Sequence, residues 1–289
     1  MERDEKIKNL HPCFGAAKPN KGRIHLPVSP GCNIACNFCD RRMNDYEDRP
    51  GVASVILKPE EAVDAVERAL ALCPEITVAG IAGPGDTLAT DSALQTFDLL
   101  GKRFPQLLKC MSTNGLLLNE RAQEIVDVGV DSLTVTVNAV DASIQARIIS
   151  DILYHGKRYE GEEAAAILIE NQLAGIKKIA EAGITIKVNT VLINEINRFH
   201  IREIARVVRS YGAKLYNIIP LIPQHKFRDC IAPACKDIDG ARYEAEKYIE
   251  VFRHCQRCRA DAVGIPGQKD FGDQIYLKRL QVKDTFSHG

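Results

Sequence analysis

Short β-branched segments alternate with longer helical patterns along most of the chain. Six segments have the residue types and length of strands: residues 23–28, 76–81, 107–112, 132–137, 184–190 and 214–219. The apolar spacing elsewhere predicts helices near residues 59–72, 91–103, 119–128, 162–182, 198–211 and 239–254. Strands that alternate with helices in this way form parallel sheets. The pattern therefore predicts an α/β fold, a partial (βα)6 barrel of the TIM type.

Within these strands, polar and apolar side chains occupy opposite faces. One face carries His25, Thr134, Thr136, Asn138, Lys187 and Asn189. The other carries Ile24, Leu26, Leu133, Val135, Val137, Ile186 and Val188. The apolar face is expected to pack on the helices, because side chains alternate along a strand. The polar face then lines a hydrophilic lumen that holds a ligand.

Three cysteines follow the first predicted strand, in the run Cys32-Asn-Ile-Ala-Cys36-Asn-Phe-Cys39. Three thiolates leave one iron of a [4Fe-4S] cluster without a protein ligand. That iron can bind S-adenosylmethionine (SAM), and an electron from the cluster can then release a 5′-deoxyadenosyl radical. A zinc site would need a fourth ligand nearby, and no Cys or His follows Cys39 within thirty residues. The run therefore predicts radical chemistry.

The composition is typical of a cytoplasmic enzyme. The 289 residues are 45% hydrophobic and 26% charged with no net charge, and no apolar run is long enough for a membrane span. The N-terminus lacks the apolar core of a secretory signal. In a reducing compartment, ten cysteines indicate metal ligation and not disulfides. We expect one soluble domain with no nucleic-acid or membrane partner.

Other cysteines and one histidine are candidate ligands. The Cys255-Gln-Arg-Cys258 pair fits a redox pair, half of a zinc site or two ligands of a second cluster. Cys13 precedes the first strand and is expected near the same site. His25 and Cys110 face the predicted lumen and are candidates for holding another cluster, because imidazole can replace thiolate in iron-sulfur centres. Three other cysteines, Cys73, Cys230 and Cys235, are interpreted as small buried hydrophobes. Three other histidines, His11, His225 and His254, are interpreted as structural.

Taken together, the motifs resemble the NifB family of nitrogenase-cofactor maturases over about residues 11–267. The resemblance rests on His11-Pro-Cys13, His25 before the cysteine run, Arg49-Pro-Gly-Val52, Gly80-Ile-Ala-Gly-Pro-Gly-Asp86, Ser112-Thr-Asn-Gly115, Ile219-Pro-Leu-Ile-Pro223 and Cys255-x2-Cys258-Arg-Ala-Asp-Ala-Val-Gly264. It implies a partial barrel of the radical SAM type, with N- and C-terminal extensions that carry cluster ligands. It also implies a stand-alone form without the C-terminal NifX-like domain.

The resemblance implies a role for each candidate residue. Cys32, Cys36 and Cys39 hold the radical-generating cluster. Two further [4Fe-4S] units are carried as substrates, one at Cys13, Cys255 and Cys258 and the other at His25 and Cys110. Loop position and family pattern together make five residues SAM contacts: Asp86, Ser112, Asn114, Asn138 and Asn189. The implied activity is fusion of the two units, with a SAM-derived carbide and one sulfur, into the eight-iron precursor (NifB-co) of the nitrogenase iron-molybdenum cofactor (FeMo cofactor).

One departure from the family lies just after the cysteine run. Many members place a further cysteine there, where this chain reads Asp40-Arg-Arg-Met-Asn-Asp-Tyr-Glu47. We expect Asp45, Glu47 or an exogenous thiol to replace it, or the unit at His25 and Cys110 to be labile. Arg42 and Arg49 are candidates for pairing with cluster or substrate charge, and the default expectation for each is a solvated surface arginine.

Four segments are expected: residues 1–22 as an extension with a cluster ligand, 23–220 as the barrel, 221–267 as a cluster-binding segment and 268–289 as a tail. The implied partners are Fe-S cluster donors, an electron donor and carrier or scaffold proteins of the nitrogenase cofactor. The protein itself is expected to be a monomer. Two alternatives remain: a radical SAM enzyme whose auxiliary cluster serves a peptide or small molecule, and a non-enzymatic Fe-S scaffold.

Overall fold

The computed structural model describes residues 3–14, 20–40, 42–276 and 283–284. The helices are α1 (Arg3–Leu10), α2 (Pro59–Leu72), α3 (Ser92–Arg103), α4 (Ala122–Asp127), α5 (Ala142–Gln145), α6 (Gly161–Glu181), α7 (Ile201–Ser210), α8 (Cys235–Glu246) and α9 (Gly272–Ile275). The strands are β1 (Gly22–His25), β2 (Ile34–Cys36), β3 (Arg42–Met43), β4 (Ile76–Ile81), β5 (Leu108–Thr113), β6 (Ser132–Thr136), β7 (Ile149–Tyr154), β8 (Lys157–Glu160), β9 (Thr185–Leu192), β10 (Leu215–Pro220), β11 (Glu250–Val251), β12 (Val263–Ile265), β13 (Lys269–Asp270) and β14 (Lys283–Asp284).

The main sheet of the described residues has the strand order β11-β10-β9-β6-β5-β4-β1-β12-β13. The six predicted strands, β1, β4, β5, β6, β9 and β10, are parallel neighbours in this order. Helices connect them, which confirms the partial (βα)6 barrel. Strand β12 pairs with β1 in antiparallel register. The C-terminal segment therefore extends the sheet beside the first strand.

The predicted strand faces are confirmed. The apolar residues of β6 and β9 are buried in the main core between sheet and helices: Leu133, Val135, Ile186 and Val188. The polar residues on the opposite face line a cavity inside the barrel: Thr134, Thr136, Lys187 and Asn189. Because the alternation is a local property of a strand, the sequence was sufficient to predict it.

The predicted helix near residues 239–254 is wrong in its second half. Helix α8 ends at Glu246, and the chain then enters β11 and an extended segment. The amide of Phe252 donates to the carbonyl of Tyr216 at 2.7 Å, so this backbone pairs with the sheet and not with itself. Sequence reasoning also missed α1, the β7–β8 hairpin and the β12–β13 edge. These elements are short, and tertiary contacts order them; in α1, Ile7 is 1% exposed.

The bounds of the four expected segments remain a prediction. Within the segment expected to be a tail, Lys269–Asp270 pairs with β12, and the side chain of Tyr276 is buried. Residues 277–282 and 285–289 of that segment lie outside the described residues, as do 1–2 and 15–19 of the N-terminal extension. In the ranges that are described, no helix is both long enough and apolar enough to span a bilayer.

Candidate active site

The cysteine run forms a loop shortly after β1, and the β7–β8 hairpin holds it. Strand β2 within the loop pairs with β7 in antiparallel register. The amide of Asn37 donates to the carbonyl of Ile148 at 2.9 Å, and the amide of Cys39 donates to the carbonyl of Cys36 at 3.1 Å. The thiols of Cys32, Cys36 and Cys39 are all partly exposed. Three partly exposed thiols thus lie within one short loop.

The glycine-rich loop after β4 packs against the chain that enters the cysteine loop. The amide of Gly85 donates to the carbonyl of Ser29, and that of Asp86 to the carbonyl of Gly31, each at 2.7 Å. A Cβ atom on Gly85 would lie 2.0 Å from the Gly31 oxygen. No side chain fits there without moving the backbone, so glycine is required. The Gly-Pro-Gly-Asp sequence therefore determines where the cysteine loop begins.

Asp86, a predicted SAM contact, is buried and accepts several hydrogen bonds. Its carboxylate accepts from the amide of Asn114 at 2.6 Å and from the hydroxyl of Thr113 at 2.9 Å. Burial raises its pKa, and these hydrogen bonds act against that change. The Asn114 side chain donates to Asn33 Oδ1 at 2.7 Å, and its Nδ2 lies 3.9 Å from Cys32 Sγ. Asp86 and Asn114 thus orient the cysteine loop, while their contact with SAM stays a prediction.

The other predicted SAM contacts differ in position. Ser112 and Asn189 line the cavity, and Asn189 Oδ1 accepts from the side-chain amide of Asn217 at 3.1 Å. Asn138 is buried, and its Oδ1 accepts from the backbone amide of Val191 at 2.9 Å. The side chain of Asn138 therefore joins the end of β6 to β9 and is not part of the described cavity wall. The roles of all three residues toward SAM stay predictions.

The cavity inside the barrel has a volume of about 320 Å³. Polar side chains of the strands line part of its wall, but most of the exposed wall is apolar, so the expected hydrophilic lumen is confirmed only in part. Cys39 brings the cysteine loop to this wall. The remaining predicted ligands also line it: Cys13, His25, Cys110, Cys255 and Cys258. These five residues come from the N-terminal extension, two strands and the C-terminal segment, so the fold alone brings them together.

The thiols of this second group lie in an apolar environment. Cys13, Cys110 and Cys255 pack in one group with buried aliphatic and aromatic side chains. Burial raises the pKa of Cys13 to about 12; the nearby thiols, Cys258 among them, add to this, and the charge of Lys187 opposes it. Burial also raises the pKa of Cys110. Cys13 and Cys110 are therefore protonated in the metal-free protein, and iron binding must release their protons.

His25 presents one unprotonated ring nitrogen. Its Nδ1 lies 2.8 Å from the carbonyl oxygen of Arg259, which only accepts, so Nδ1 carries the proton and Nε2 keeps a lone pair. Gly80 leaves room for the ring, because a Cβ atom there would lie 3.1 Å from His25 Cδ2. Burial lowers the pKa of His25 to about 4. A neutral imidazole oriented through its other nitrogen is the form that ligates metals.

Arg23 is a residue of this site that sequence reasoning missed. It is 4% exposed, and its guanidinium donates to Cys258 Sγ at 3.2 Å and to the carbonyl of Gly264 at 2.8 Å. These bonds place a positive charge at the sulfur atom and orient it. The sequence does contain a signal for Arg23. Side chains alternate along a strand, so Arg23, two residues before His25, lies on the same face of β1 as His25.

The segment after the cysteine run keeps its acidic side chains out of the described cavity wall. Asp45 is exposed. Glu47 accepts from the side-chain amide of Asn44 at 2.6 Å and from Arg49 Nε at 3.0 Å. The default expectation of a solvated side chain is wrong for Arg49, because this pairing allows Arg49 to be buried at the cavity wall. Arg42 is exposed, as expected.

An ion pair with a buried carboxylate joins the C-terminal segment to the segment that follows the cysteine run. Arg259 Nε donates to Asp261 Oδ1 at 2.8 Å, and Arg259 Nη2 donates to the carbonyl of Asn44 at 2.8 Å. Asp261 is 5% exposed. Its Oδ2 accepts from the amide of Ser54 at 2.6 Å and from the Ser54 hydroxyl at 2.9 Å. The pair follows Cys258 directly in the sequence and therefore holds that thiol at the cavity.

The interpretation of the isolated cysteines is confirmed for Cys73, which is buried. It is wrong for Cys235, which is the first residue of helix α8 and is exposed, as is the next residue, Lys236. Cys230 is between these cases, partly buried against a small apolar group.

The three histidines that were expected to be structural differ in burial. His225 and His254 are exposed. His11 is buried, and its Nδ1 accepts from the amide of Cys13 at 3.0 Å, which is a structural contact as expected. Its ring also lines the cavity, which the sequence did not predict.

The cysteine loop supplies the type of ligand that a [4Fe-4S] cluster requires. In a [4Fe-4S] cube each thiolate binds a different iron, so its ligands are spread around the cluster. Three partly exposed thiols within one loop at the edge of a cavity match this requirement.

The fold and the cysteine loop define the class of protein. The Radical SAM superfamily profile matches residues 26–208, which include the cysteine loop. A radical SAM methyltransferase from Sphaerobacter thermophilus shares the fold, with a TM-score of 0.60 and 18% identity over 81% of this chain and 66% of that chain. The protein is a radical SAM enzyme, a class whose members use a [4Fe-4S] cluster and SAM.

Two relatives narrow this assignment. The FeMo cofactor biosynthesis protein NifB of Methanocaldococcus infernus is 45% identical over 290 residues, which cover 98% of this chain and 96% of the relative. The protein of the same description from Methanocaldococcus jannaschii is 43% identical over 289 residues, covering 99% and 96%. The chain belongs to the NifB family, which confirms the resemblance inferred from the motifs.

Proposed function

We propose that this protein acts in FeMo cofactor biosynthesis, the process for which its relatives are named. It fuses two [4Fe-4S] units, with a SAM-derived carbide and one sulfur, into the eight-iron precursor of the cofactor. In this reaction it acts both as a methyl-transferring enzyme and as a SAM lyase. One observation carries the proposal: the cavity that Cys39 reaches is also lined by Cys13, His25, Cys110, Cys255 and Cys258.

Cys32, Cys36 and Cys39 hold the radical cluster in this proposal. That cluster, when SAM is bound to it, supplies the 5′-deoxyadenosyl radical. Asp86 and Asn114 keep the cysteine loop in place through their hydrogen bonds. Polar groups of the lumen bind SAM, and the surrounding barrel excludes water from the reactive species. The residues of the chain therefore act mainly by binding and orienting the reactants.

The second group of ligands binds the iron-sulfur units as substrates. Cys13, Cys255 and Cys258 bind one unit, and Cys110 with the Nε2 atom of His25 binds the other. Support comes from the neutral state of His25 and from the common cavity that all five residues line. Two units bound there would lie close to each other and to the cysteine loop, which favours their fusion.

The proposal requires partners that supply what the chain lacks. Fe-S cluster donors provide the units, an electron donor reduces the radical cluster, and carrier or scaffold proteins of the nitrogenase cofactor receive the product. A cytoplasmic location suits this chemistry, because a reducing compartment keeps the ten cysteines as thiols.

Reconstituted protein, treated anaerobically with dithionite and methyl-labelled SAM, tests the function. We expect S-adenosylhomocysteine and 5′-deoxyadenosine to form, and labelled carbon to stay with an iron-sulfur product. Both SAM products without carbon in a cluster would favour a radical enzyme whose auxiliary cluster serves a peptide or small molecule. Absence of both SAM products would favour a non-enzymatic scaffold.

A variant tests the second ligand group. Cys255→Ala is expected to keep the cluster of the cysteine loop, because the two sets of ligands are separate, but to stop carbon transfer. Cys235→Ala is the matched control, since this exposed thiol lies outside the described cavity wall. Carbon transfer by Cys255→Ala at the wild-type rate would remove Cys255 from the ligands.

A further inference from the structure

Lys187 is a buried lysine of the cavity wall that the proposed function does not yet use. It lies on β9 and is 7% exposed. Its Nζ donates to the carbonyl of Cys13 at 3.2 Å and lies 4.6 Å from the ring centre of Phe14 and 5.3 Å from that of Phe252. None of the ion pairs found among the described residues includes Lys187. Its ammonium is thus buried without a carboxylate partner in that part of the chain.

The surroundings compensate this charge only in part. A carbonyl oxygen and two aromatic rings stabilise a cation less than a carboxylate does. Arg49, a second buried cation of the cavity wall, has the carboxylate of Glu47 at 2.9 Å. The side chains around Lys187 therefore favour an anionic occupant.

Lys187 lies near thiols of both proposed substrate sites. The rings of Phe14 and Phe252, over which its Nζ lies, pack in one group with Cys13 and Cys255 from one site and with Cys110 from the other. Electrostatic interactions decrease with distance and are strongest where water is excluded. The ammonium is therefore near both sites.

We propose that Lys187 is the shared counter-ion of the two iron-sulfur units. A [4Fe-4S] unit with thiolate ligands is an anion, and two anions repel each other strongly in a cavity of low dielectric constant. An ammonium close to both sites lowers this repulsion. It also raises the reduction potential of the nearby units, because positive charge stabilises their reduced state. The inference rests on the proposed function and makes Lys187 a positioning residue, not a ligand.

The test compares Lys187→Met with Lys187→Arg, which keeps the positive charge. After anaerobic reconstitution, Lys187→Met is expected to keep about four irons on the cysteine loop. It should retain the other irons roughly tenfold less well at limiting iron, because a charge pair is broken. Redox titration followed by EPR should show a shift of the remaining units to more negative potential. Lys187→Arg should largely restore both properties.

Lys109→Met is the matched control for these measurements. Lys109 is a partly buried lysine of β5 whose Nζ donates to the carbonyl of Val128, and it is not part of the described cavity wall. Its substitution should leave both iron retention and potential unchanged. If Lys187→Met does not fold, Lys187→Gln removes the charge with a polar side chain and is measured in the same way.

Urea unfolding of the metal-free protein distinguishes the effect of the Lys187 charge from the effect of its packing. Removal of an uncompensated buried cation should raise the urea concentration at the unfolding midpoint of Lys187→Met above that of the wild type. After reconstitution the order should reverse, because the wild type alone keeps the counter-ion. A lysine that only supports Phe14 and Phe252 would lower the midpoint in both forms when replaced, and this result would overturn the inference.

Different results would contradict the role of Lys187 and the proposed function. Unchanged iron retention and potential in Lys187→Met would overturn the role of Lys187, even where the wild type transfers carbon. A wild-type protein that binds iron at both sites but transfers no carbon would overturn the proposed function. The potential and urea measurements would still decide the role of Lys187.

Discussion

The two groups of thiols reach the cavity by different routes. Cys32, Cys36 and Cys39 lie in one short loop, where local hydrogen bonds and the β7–β8 hairpin hold them. Cys13 and Cys255 come from opposite ends of the chain and meet inside the barrel. The first group thus depends on a short stretch of sequence and the second on the whole fold.

This difference indicates where each group is sensitive to change. Substitutions in the cysteine loop should affect one cluster and leave the distant thiols in place. Loosening of the C-terminal segment should displace Cys255 and Cys258 together, because the Arg259–Asp261 pair anchors the segment that carries both. The comparison leads to three predictions, beginning with the largest effect.

Loss of one thiol from the cysteine loop should have the largest effect. Cys36→Ala is expected to abolish formation of 5′-deoxyadenosine, because the radical cluster needs all three thiolates. The iron content should fall by about four per chain, while iron at the second group remains. Chromatography of the SAM products and iron analysis measure both changes, with Cys235→Ala as the control. Continued formation of 5′-deoxyadenosine by Cys36→Ala would contradict its role as a ligand.

Removal of the C-terminal anchor should act on the second group. Asp261→Asn is expected to lower the free energy of unfolding by about 3 kcal/mol, because Arg259 loses its carboxylate partner in a largely buried site. The variant should also retain less iron at the second group than at the cysteine loop. Urea denaturation and iron analysis test this.

An ion pair at the surface provides the control for this prediction. Asp98→Asn breaks the surface pair with Lys102 and should produce no measurable change in stability. Equal destabilisation by Asp98→Asn and Asp261→Asn would show that the buried pair has no special role in anchoring the segment.

Acid should destabilise the metal-free protein through the second group. Burial lowers the pKa of His25 from 6.5 to about 4. Between these values the unfolded chain binds a proton that the folded protein does not, so the free energy of unfolding falls as the pH is lowered. At pH 5.5 we expect a loss of about 1 kcal/mol relative to pH 7.5 from this residue.

The variant His25→Gln checks the assignment. Glutamine does not titrate and can still donate to the carbonyl of Arg259, so urea midpoints of this variant should depend less on pH than those of the wild type. The same pH dependence in both proteins would show that His25 is not the group responsible.

Much of the fold could be predicted because its signals are local. Ile76–Ile81 and Pro59–Leu72 match the expected bounds, since β-branched runs and a proline at a helix start act over a few residues. The β7–β8 hairpin was missed, although it holds the cysteine loop. The hairpin pairs with β2, which is more than a hundred residues away in the sequence. The pattern of neighbouring residues carries no information about such a distant contact.

The sequence by itself determined the ligand types, the spacing of the cysteine run and the faces of the strands, because spacing and alternation are properties of neighbouring residues. Tertiary structure decided which distant thiols meet, that Arg49 is buried and which nitrogen of His25 is protonated. It also brought Arg23 to Cys258 across a sequence separation of 235 residues. These features depend on burial and on contacts between remote segments, which only the folded chain creates.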